Sequence, residues 1–228
     1  MDSSQVTLFG HWICPYSIRV QFALGQRKIA YDLVEVPPRA VRPRDFVVPS
    51  EFIEHSPKLE VPMVKCGTEY LADSIPILEW LEELISTDSL LPEQGEDRHL
   101  VRQRVQWLDK HLYWPMVGVY YGTDNVKIAE ASNALGNALV EISTWLQDSQ
   151  WLAGTQPTTA EAIMVGFYTR IDGLRELGLT ASIPTEVAAH IDRCKQLEGW
   201  GHVEWSAEQT NEFVGRFQKY REIQNARS

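Results

Sequence analysis

Hydrophobic and polar positions follow two different patterns along this chain of 228 residues. In the first third, runs typical of strands alternate with stretches of helical spacing. "VTLF" and "AYDLVEV" are strand-like, and the segment between them becomes helical from Pro15. "VPMVKCGTEYL" predicts a strand, a tight turn at Cys66-Gly67-Thr68 and a second strand. "DSIPILEWLEELIS" then has apolar residues at helical spacing, namely Ile77, Leu78, Leu81, Leu84 and Ile85.

The order of these elements is βαβ, an irregular region with helical pieces broken by Pro49, and ββα. Such an order predicts a mixed sheet with helices packed on it. The polar stretch "TDSLLPEQGED" contains Pro and Gly and is typical of a linker. We therefore predict an α/β domain over residues 1–86, a linker over 87–96 and an all-α domain over 97–228.

Everything after the linker has helical spacing. A long helical segment over 97–121 contains Pro115, which should kink it. "VKIAEASNALGNALVEISTWLQD" has a sustained apolar stripe formed by Ile128, Ala131, Leu135, Leu139, Ile142 and Leu146. Further helices are predicted near 158–173, 185–197 and 207–224.

Composition and charge indicate which kinds of molecule are not expected to bind this chain. The chain is 44% hydrophobic and carries a formal net charge of -10, which argues against nucleic acid or an anionic membrane as a partner. "MDSSQ" lacks the basic and apolar regions of a secretory signal. No apolar run approaches the about 18 to 20 residues of a membrane span. We expect a cytoplasmic protein.

The three cysteines, Cys14, Cys66 and Cys194, are far apart and odd in number. A disulfide framework is therefore not expected in a reducing compartment. No Cys/His cluster has zinc spacing, and the six histidines are scattered. We expect no metal site, and we expect Cys66 and Cys194 to be structural.

Cys14 lies in "HWICPYS", directly before a proline. It could be a buried hydrophobe, half of a disulfide, a metal ligand or a nucleophile. Pro15 suits the first turn of a helix, so Cys14 should occupy the N-cap. The unpaired N–H groups and the dipole at that end favour an anion and lower the pKa of a thiol. Ser17 stands where a second cysteine would complete C-P-Y-C, so one-cysteine chemistry is favoured over dithiol chemistry.

Two further short motifs have both a functional and a structural interpretation. Val61-Pro62 in "LEVPMV" could be a cis-proline step that exposes backbone to an extended peptide, or an ordinary edge-strand proline. Asp73-Ser74 could bind a carboxylate at the start of a helix, or could simply cap that helix.

Taken together, these features resemble the glutathione S-transferase superfamily over nearly the whole chain. The shared order is a strand, an active residue opening the first helix, Val-Pro before the third strand, an acid-Ser pair opening the third helix, a linker and a helical half. "GTQPTTAEAIM" is similar to the family's N-capping box, with Thr158 as cap and Glu161 where Asp is usual. The resemblance implies a thioredoxin-like N-terminal domain, an all-α C-terminal domain, glutathione as cosubstrate without a metal, and a homodimer.

Within the superfamily, "CPYS" resembles the cysteine-dependent classes such as omega, which reduce or transfer mixed disulfides. "SIRVQFAL" also resembles the zeta class, which has Ser and Arg at the positions of Ser17 and Arg19. In that alignment Cys14 stands where zeta has its catalytic serine. An isomerase that uses glutathione is therefore an alternative.

The resemblance assigns the candidate site residues. Cys14 is the catalytic candidate, and the glutathione-binding candidates are Lys58, Val61, Pro62, Asp73 and Ser74. Glu60 stands where a lysine commonly meets the glycine carboxylate, so it should weaken glutathione binding, and Lys58 could substitute. The candidates for the substrate pocket are His11, Tyr16, Tyr113, Trp114, Tyr120 and Tyr121.

The pocket candidates have structural alternatives too. The aromatics of "HLYWPMVGVYYG" suit a planar apolar substrate but could equally serve helix packing. His11 could support the thiolate or could be a solvated loop residue.

The favoured function is that of a glutathione transferase with the Cys14 thiolate as nucleophile. Its substrate would be a small aromatic or apolar molecule, either an electrophile or a disulfide. The reaction would be thiol transfer, reductive cleavage or conjugation. The alternatives are the zeta-like isomerase and a non-catalytic binding or regulatory protein with the same fold.

Overall fold

The computed structural model describes residues 6–84, 88–93 and 95–226, except for the side chain of Glu96. The chain forms two compact units, residues 1–90 with 197–203, and residues 91–196 with 204–228. The predicted domain boundary at residue 86, the first linker residue and the "MDSSQ" segment lie outside the described residues.

A four-stranded mixed sheet forms the centre of the first unit, with the order β2-β1-β3-β4. The strands are β1 (Val6–Gly10), β2 (Tyr31–Glu35), β3 (Met63–Cys66) and β4 (Glu69–Ala72). β1 pairs with β2 in parallel, and with β3 in antiparallel. β3 and β4 form a hairpin whose turn contains Gly67 with a φ of 61°. The predicted mixed sheet is confirmed.

The first unit also contains helices α1 (Pro15–Gln26), α2 (Ser50–His55) and α3 (Ser74–Leu84), with a 3-10 turn at Arg39–Val41. α1 connects the parallel strands β1 and β2, as a βαβ unit requires. α1 and α3 contribute fully buried residues to the core, among them Ile18, Phe22 and Ile77.

A segment from much later in the chain belongs to the first unit and packs on α1. It contains the 3-10 turn Glu198–His202. The Gly199 N–H donates to Gln26 Oε1 at 3.1 Å. The His202 ring lies so close to Gly25 that a Cβ there would be 2.3 Å from it. Both glycines therefore permit a close approach that a side chain would prevent.

The second unit is helical throughout its described regular elements. They are α4 (Gly95–Leu108), a π turn (Asp109–Tyr113), α5 (Trp114–Tyr121), α6 (Asn125–Trp145), α7 (Thr159–Tyr168), α8 (Ile171–Glu176), α9 (Thr185–Cys194) and α10 (Ala207–Asn225). In the described part of the chain, no helix has both the length and the apolar character needed to cross a bilayer.

Two predicted helices are divided in the structure. The segment over 97–121 is interrupted by the π turn, after which Pro115 occupies the first turn of α5. Because Pro115 has no N–H, the helical hydrogen bond that it would donate is missing at this place. The segment predicted near 158–173 divides into α7 and α8, since Arg170 leaves helical geometry with φ -116° and ψ 6°.

Candidate active site

Cys14 occupies the N-cap of α1, where the chain leaves β1 and turns into the helix. Its φ of -82° and ψ of 117° are extended, and Pro15 takes the first helical turn. The Cys14 N–H donates to His11 O at 3.0 Å, and Cys14 O accepts the first helical hydrogen bond from Ile18 N at 3.1 Å. The thiol therefore lies at the helix end whose N–H groups and dipole favour negative charge.

The thiol is also close to the hydrophobic core. Cys14 is only 4% exposed and packs in a cluster with Phe9, Phe52 and Met63. Its Sγ donates to Val61 O at 3.6 Å. The Val61-Pro62 peptide bond is cis. The cis bond of that alternative is present, but Val61 is buried, and its carbonyl contacts the thiol of a residue 47 positions away.

Asp73 and Ser74 open α3. Asp73 has a φ of 72°, in the left-handed region that Asp and Asn tolerate better than most residues. Its carbonyl accepts from Ile77 N at 3.1 Å, so Asp73 holds the N-cap position. Ser74 is buried, and its Oγ accepts a hydrogen bond from Arg19 Nη1 at 3.1 Å.

Arg19 connects α1 to the start of α3. Its side chain is fully buried, and its guanidinium carbon lies 4.7 Å from the centre of the Tyr16 ring. In the sequence, Arg19 was notable only for its zeta-like position. Its contact with Ser74 joins residues 55 positions apart, which local spacing does not reveal.

Lys58 and Glu60 each contact another residue of the first unit. Lys58 Nζ lies 2.8 Å from Asp73 Oδ2, so its ammonium pairs with the acid of the candidate site. Glu60 Oε2 accepts from the Arg39 N–H at 3.3 Å. Both residues of the Lys58–Asp73 pair are exposed, and such pairs contribute little to stability.

Arg42 is a cation near this loop that sequence analysis did not single out. Its Nε donates to Pro37 O at 2.9 Å and its Nη2 to Leu59 O at 3.1 Å. Arg42 therefore connects the segment after β2 to the loop before Val61. Arg42 lies between Arg39 and Arg44 in an irregular region, and their spacing does not distinguish it from these two neighbours.

Hydrogen bonds also connect α2 to the sheet beside this loop. Glu51 on α2 accepts from Lys65 of β3 and from the Tyr70 hydroxyl of β4, the latter at 2.6 Å. The hydrogen bonds from Lys65 and then from Tyr70 lower the pKa of Glu51. The His55 ring stacks on Tyr70 with 3.7 Å between centroids. These contacts hold the start of the 56–62 loop.

His11 and Tyr16 lie beside Cys14. His11 is 6% exposed, so it is not the solvated loop histidine that one interpretation anticipated. Its Nδ1 accepts from the Ile13 N–H at 3.2 Å, an arrangement that shapes the loop before Cys14. Tyr16 packs against the same cluster as Cys14 and covers Arg19.

The four aromatic pocket candidates of the helical half lie in the second unit and have different surroundings. Tyr113 is fully buried, and its hydroxyl donates to Ile163 O at 2.7 Å. Tyr120 is buried against Phe213 and Phe217. These two rings serve helix packing, the structural alternative. Trp114 is 71% exposed and Tyr121 is half-buried.

In the described residues, no group of three or more His, Cys, Asp or Glu could hold a metal ion.

Known proteins resemble this chain in sequence and in fold. Residues 13–84 match the family model "Glutathione S-transferase, N-terminal domain". A probable glutathione S-transferase of Nicotiana tabacum is 27% identical over 72% of this chain and 71% of that protein. The maleylacetoacetate isomerase of Dictyostelium discoideum is 23% identical over 60% of this chain and 65% of its own length. The match to the isomerase therefore spans slightly less than two thirds of it.

Solved structures show the same fold over nearly the whole chain. The omega 3C glutathione transferase of Trametes versicolor superposes with a TM-score of 0.79 at 18% identity, covering 98% of this chain and 93% of that one. Rice GST1, solved in complex with glutathione, gives 0.81 at 18% identity over 96% and 98%. Residues 13–84 thus match the glutathione S-transferase family, and the chain as a whole has the fold of these solved transferases.

Proposed function

We propose that this protein is a glutathione-dependent enzyme in which Cys14 is the nucleophile. The observation that supports this most is the convergence of three sequence-distant motifs within the first unit. The Cys14 thiol contacts the carbonyl of the cis Val61-Pro62 step. Arg19, one turn further along α1, contacts Ser74 at the start of α3. A cysteine that only packed in the core would not require this contact between the arginine and the serine.

The chemistry proposed for Cys14 is thiol transfer. Its thiolate attacks the glutathione sulfur of a mixed disulfide, the S–S bond breaks, and the electron pair leaves on the substrate sulfur, which takes a proton from solvent. Free glutathione thiolate then attacks the glutathione sulfur now bonded to Cys14. The products are glutathione disulfide and the regenerated Cys14 thiolate, so one glutathione is consumed for each substrate thiol released.

Ionisation of Cys14 changes its hydrogen bonding. In the structure the thiol donates to Val61 O at 3.6 Å, and a thiolate has no proton to donate there. The N-terminal end of α1, with its dipole, would then stabilise the negative charge on the sulfur. The buried position excludes bulk water from one side of the sulfur, which strengthens these interactions.

The start of α3 suits the γ-glutamyl end of glutathione, which has an ammonium and a carboxylate. The Ser74 hydroxyl accepts from Arg19, which has no acceptor atom, so the serine proton is left for another acceptor. That proton and the N–H groups of α3 would bind the carboxylate. The Lys58 ammonium lies 2.8 Å from Asp73. The ammonium of glutathione would displace it and pair with the Asp73 carboxylate.

A glutathione-dependent cis–trans isomerase is the second candidate. The relatives include the maleylacetoacetate isomerase of Dictyostelium discoideum and a probable maleylacetoacetate isomerase of Drosophila melanogaster, the latter 31% identical over 43% of this chain. Ser17 and Arg19 occupy the positions of the zeta-class Ser and Arg. In an isomerase, the glutathione sulfur adds to the substrate and leaves again, so no disulfide is consumed.

The test compares wild type, Cys14→Ala and Cys66→Ala. We expect Cys14→Ala to reduce turnover of the mixed disulfide of glutathione and 2-mercaptoethanol at least about 100-fold, on the scale of lost nucleophilic catalysis. Glutathione affinity by calorimetry should change less than threefold. Cys66→Ala, the matched thiol deletion, should retain activity.

The alternatives predict other outcomes. Full disulfide turnover in Cys14→Ala would contradict Cys14 as nucleophile. Turnover of maleylacetoacetate by wild type and Cys66→Ala, without disulfide turnover, would favour the isomerase. Glutathione binding without any turnover by wild type would favour the non-catalytic protein.

A further inference from the structure

The loop before the cis proline contains a residue in an unusual backbone conformation. Leu59 has a φ of 54°, in the left-handed region that bulky side chains rarely adopt. Such a conformation persists only where the surrounding structure holds it, and residues of this kind cluster at functional sites. The contacts that hold Leu59 therefore indicate what this loop positions.

Three consecutive carbonyl groups of the loop each accept a hydrogen bond from a different part of the first unit. The pairs are Leu59 O with Arg42 Nη2 at 3.1 Å, Glu60 O with Ser56 Oγ at 3.1 Å, and Val61 O with Cys14 Sγ at 3.6 Å. The peptide units that join these carbonyls are planar and stiff. The place of the third carbonyl, which contacts the thiol, therefore depends on how the first is held.

Ser56 supports the loop from the end of α2. It is only 3% exposed, and its N–H donates to Phe52 O at 3.0 Å. Its carbonyl accepts from the Leu59 N–H at 3.1 Å, which closes a tight turn. Ser56 thus acts within a few residues, whereas Arg42 reaches Leu59 from 17 positions earlier in the chain.

Arg42 joins this loop to the end of β1. Its Nε donates to Pro37 O at 2.9 Å, while its Nη2 is bonded to the loop. Val36, the neighbour of Pro37, is fully buried and donates its N–H to Gly10 O at 2.9 Å. Gly10 ends β1, four residues before Cys14. The planar guanidinium therefore connects the strand that leads to the thiol with the loop that contacts it, through two donors of fixed geometry.

We propose that Arg42 is a positioning residue for the thiol chemistry. By fixing Leu59 O relative to the end of β1, it sets the place of the Val61 carbonyl and hence the direction of the Cys14 sulfur. A hydrogen bond from the thiol stabilises its protonated form, so the same carbonyl contributes to the pH at which Cys14 ionises. This inference rests on the proposed role of Cys14 as nucleophile, but alkylation of the thiol tests it without any turnover.

Positioning and charge predict opposite shifts. Removing the positive charge of Arg42 disfavours a nearby thiolate, which raises the pH at which Cys14 ionises. Losing the positioned carbonyl removes a hydrogen bond to the thiol, which lowers that pH. Titratable side chains around the thiol and its loop stay the same in every variant below, namely His11, Tyr16, Arg19, Tyr70, Lys58 and Glu60.

The test measures the rate of Cys14 alkylation by iodoacetamide over about pH 5 to 10, in a Cys66→Ala background. Arg42→Ala should move the midpoint of this profile to lower pH by about 0.3 to 1 unit, the scale of one neutral hydrogen bond. Turnover of the mixed disulfide of glutathione and 2-mercaptoethanol should instead fall about tenfold, because the sulfur is no longer held in the reacting direction.

Arg44→Ala is the matched control, because it removes the same charge from an exposed side chain two residues away. It should not lower the midpoint, and its turnover should stay close to that of wild type. Arg42→Lys keeps the charge but cannot bond two carbonyls as a planar fork, so its midpoint should lie between those of wild type and Arg42→Ala. Ser56→Ala removes the donor to Glu60 O and should lower the midpoint as well.

Mass spectrometry after alkylation shows whether each variant is folded, since Cys194 is fully buried and stays unmodified in folded protein. If Cys194 is modified in Arg42→Ala, the midpoints of Arg42→Lys and Ser56→Ala decide the question.

The proposal is overturned if loss of Arg42 leaves the midpoint unchanged or raises it, or if Arg44→Ala lowers it equally. Wild-type behaviour of Arg42→Lys would assign the effect to charge and would overturn the proposal too. An unchanged midpoint with a higher KM for glutathione would make Arg42 a binding residue instead. Full disulfide turnover by Cys14→Ala would contradict the proposed function, while the alkylation midpoints would still decide the role of Arg42.

Discussion

Replacement of Glu161 tests how far the second unit depends on one buried carboxylate. Glu161 is fully buried in the first turn of α7, where it completes the capping box with Thr158. Its Oε2 accepts from Thr158 N at 2.6 Å and from Thr158 Oγ1 at 2.9 Å. Its Oε1 accepts from Leu152 N at 2.7 Å and lies 3.3 Å from His190 Nε2. The carboxylate thus joins the preceding loop, α7 and α9.

Glu161→Ala removes the acceptor and leaves its donors behind. The N–H groups of Leu152 and Thr158 belong to residues that are only 2% and 1% exposed, so water cannot easily replace the carboxylate. Each buried donor left unsatisfied costs about 1 to 3 kcal/mol. The two backbone donors alone therefore give a loss of about 2 to 6 kcal/mol in the free energy of unfolding. This is a large fraction of the about 5 to 15 kcal/mol that stabilises a typical domain.

The chain provides a matched control in a second capping box at the start of α10. There the Ser206 N–H donates to Gln209 Oε1 at 2.9 Å; Ser206 is exposed and Gln209 is half-buried. Since water can replace that acceptor, Gln209→Ala should cost about 1 kcal/mol or less. Urea unfolding followed by tryptophan fluorescence measures both variants. Equal losses, or a loss below about 1 kcal/mol for Glu161→Ala, would refute the argument from burial.

Three further variants test other parts of the structure. Gly25→Ala should lower the thermal stability by about 1 to 3 kcal/mol through overpacking against His202, although helix propensity alone predicts a small gain in stability. Adding His202→Ala should restore most of the lost stability. If Gly25→Ala loses no stability, the close contact is contradicted. Burial raises the pKa of the Cys194 thiol, so the unfolded state loses the thiol proton at a lower pH than the folded state does. The free energy of unfolding should therefore fall as pH rises above about 8.5, by up to about 1.4 kcal/mol per pH unit. Cys194→Ala should flatten this decline while Cys66→Ala should not, and identical pH profiles would refute it. Asp73→Asn should keep the melting temperature but lose about 1.5 to 3 kcal/mol of glutathione affinity in calorimetry, and unchanged affinity would make Asp73 only a cap.

The elements that sequence analysis predicted are those whose pattern is local. β1 and β3 are short apolar runs with turn residues nearby, and Pro15 marks the start of α1 because a proline has no N–H to leave unpaired there. The α7 cap was visible as Thr158 and Glu161 three residues apart, and the structure confirms that capping box. In each case the physical cause lies within a few residues.

The features that sequence analysis missed depend on distant contacts. Nothing in "LEGWGH" indicates that this turn packs on α1, because Gly199 and Gln26 are 173 positions apart. Tyr113 and Trp114 are neighbours in one aromatic stretch, yet one is fully buried and the other is 71% exposed. Composition shows that a stretch is rich in rings, but helix rotation and the π turn decide which ring is buried.

The loop before the cis proline connects the parts of the candidate site. Lys58 in this loop pairs with Asp73, and Leu59 O accepts from Arg42. Val61, three residues after Lys58, presents its carbonyl to the Cys14 thiol. A ligand ammonium that displaces Lys58 from Asp73 would therefore act on the same short segment that positions the acceptor for the thiol proton. One stretch of backbone thus connects the Lys58–Asp73 pair at the start of α3 with the carbonyl that accepts from Cys14, which the sequence could present only as separate motifs.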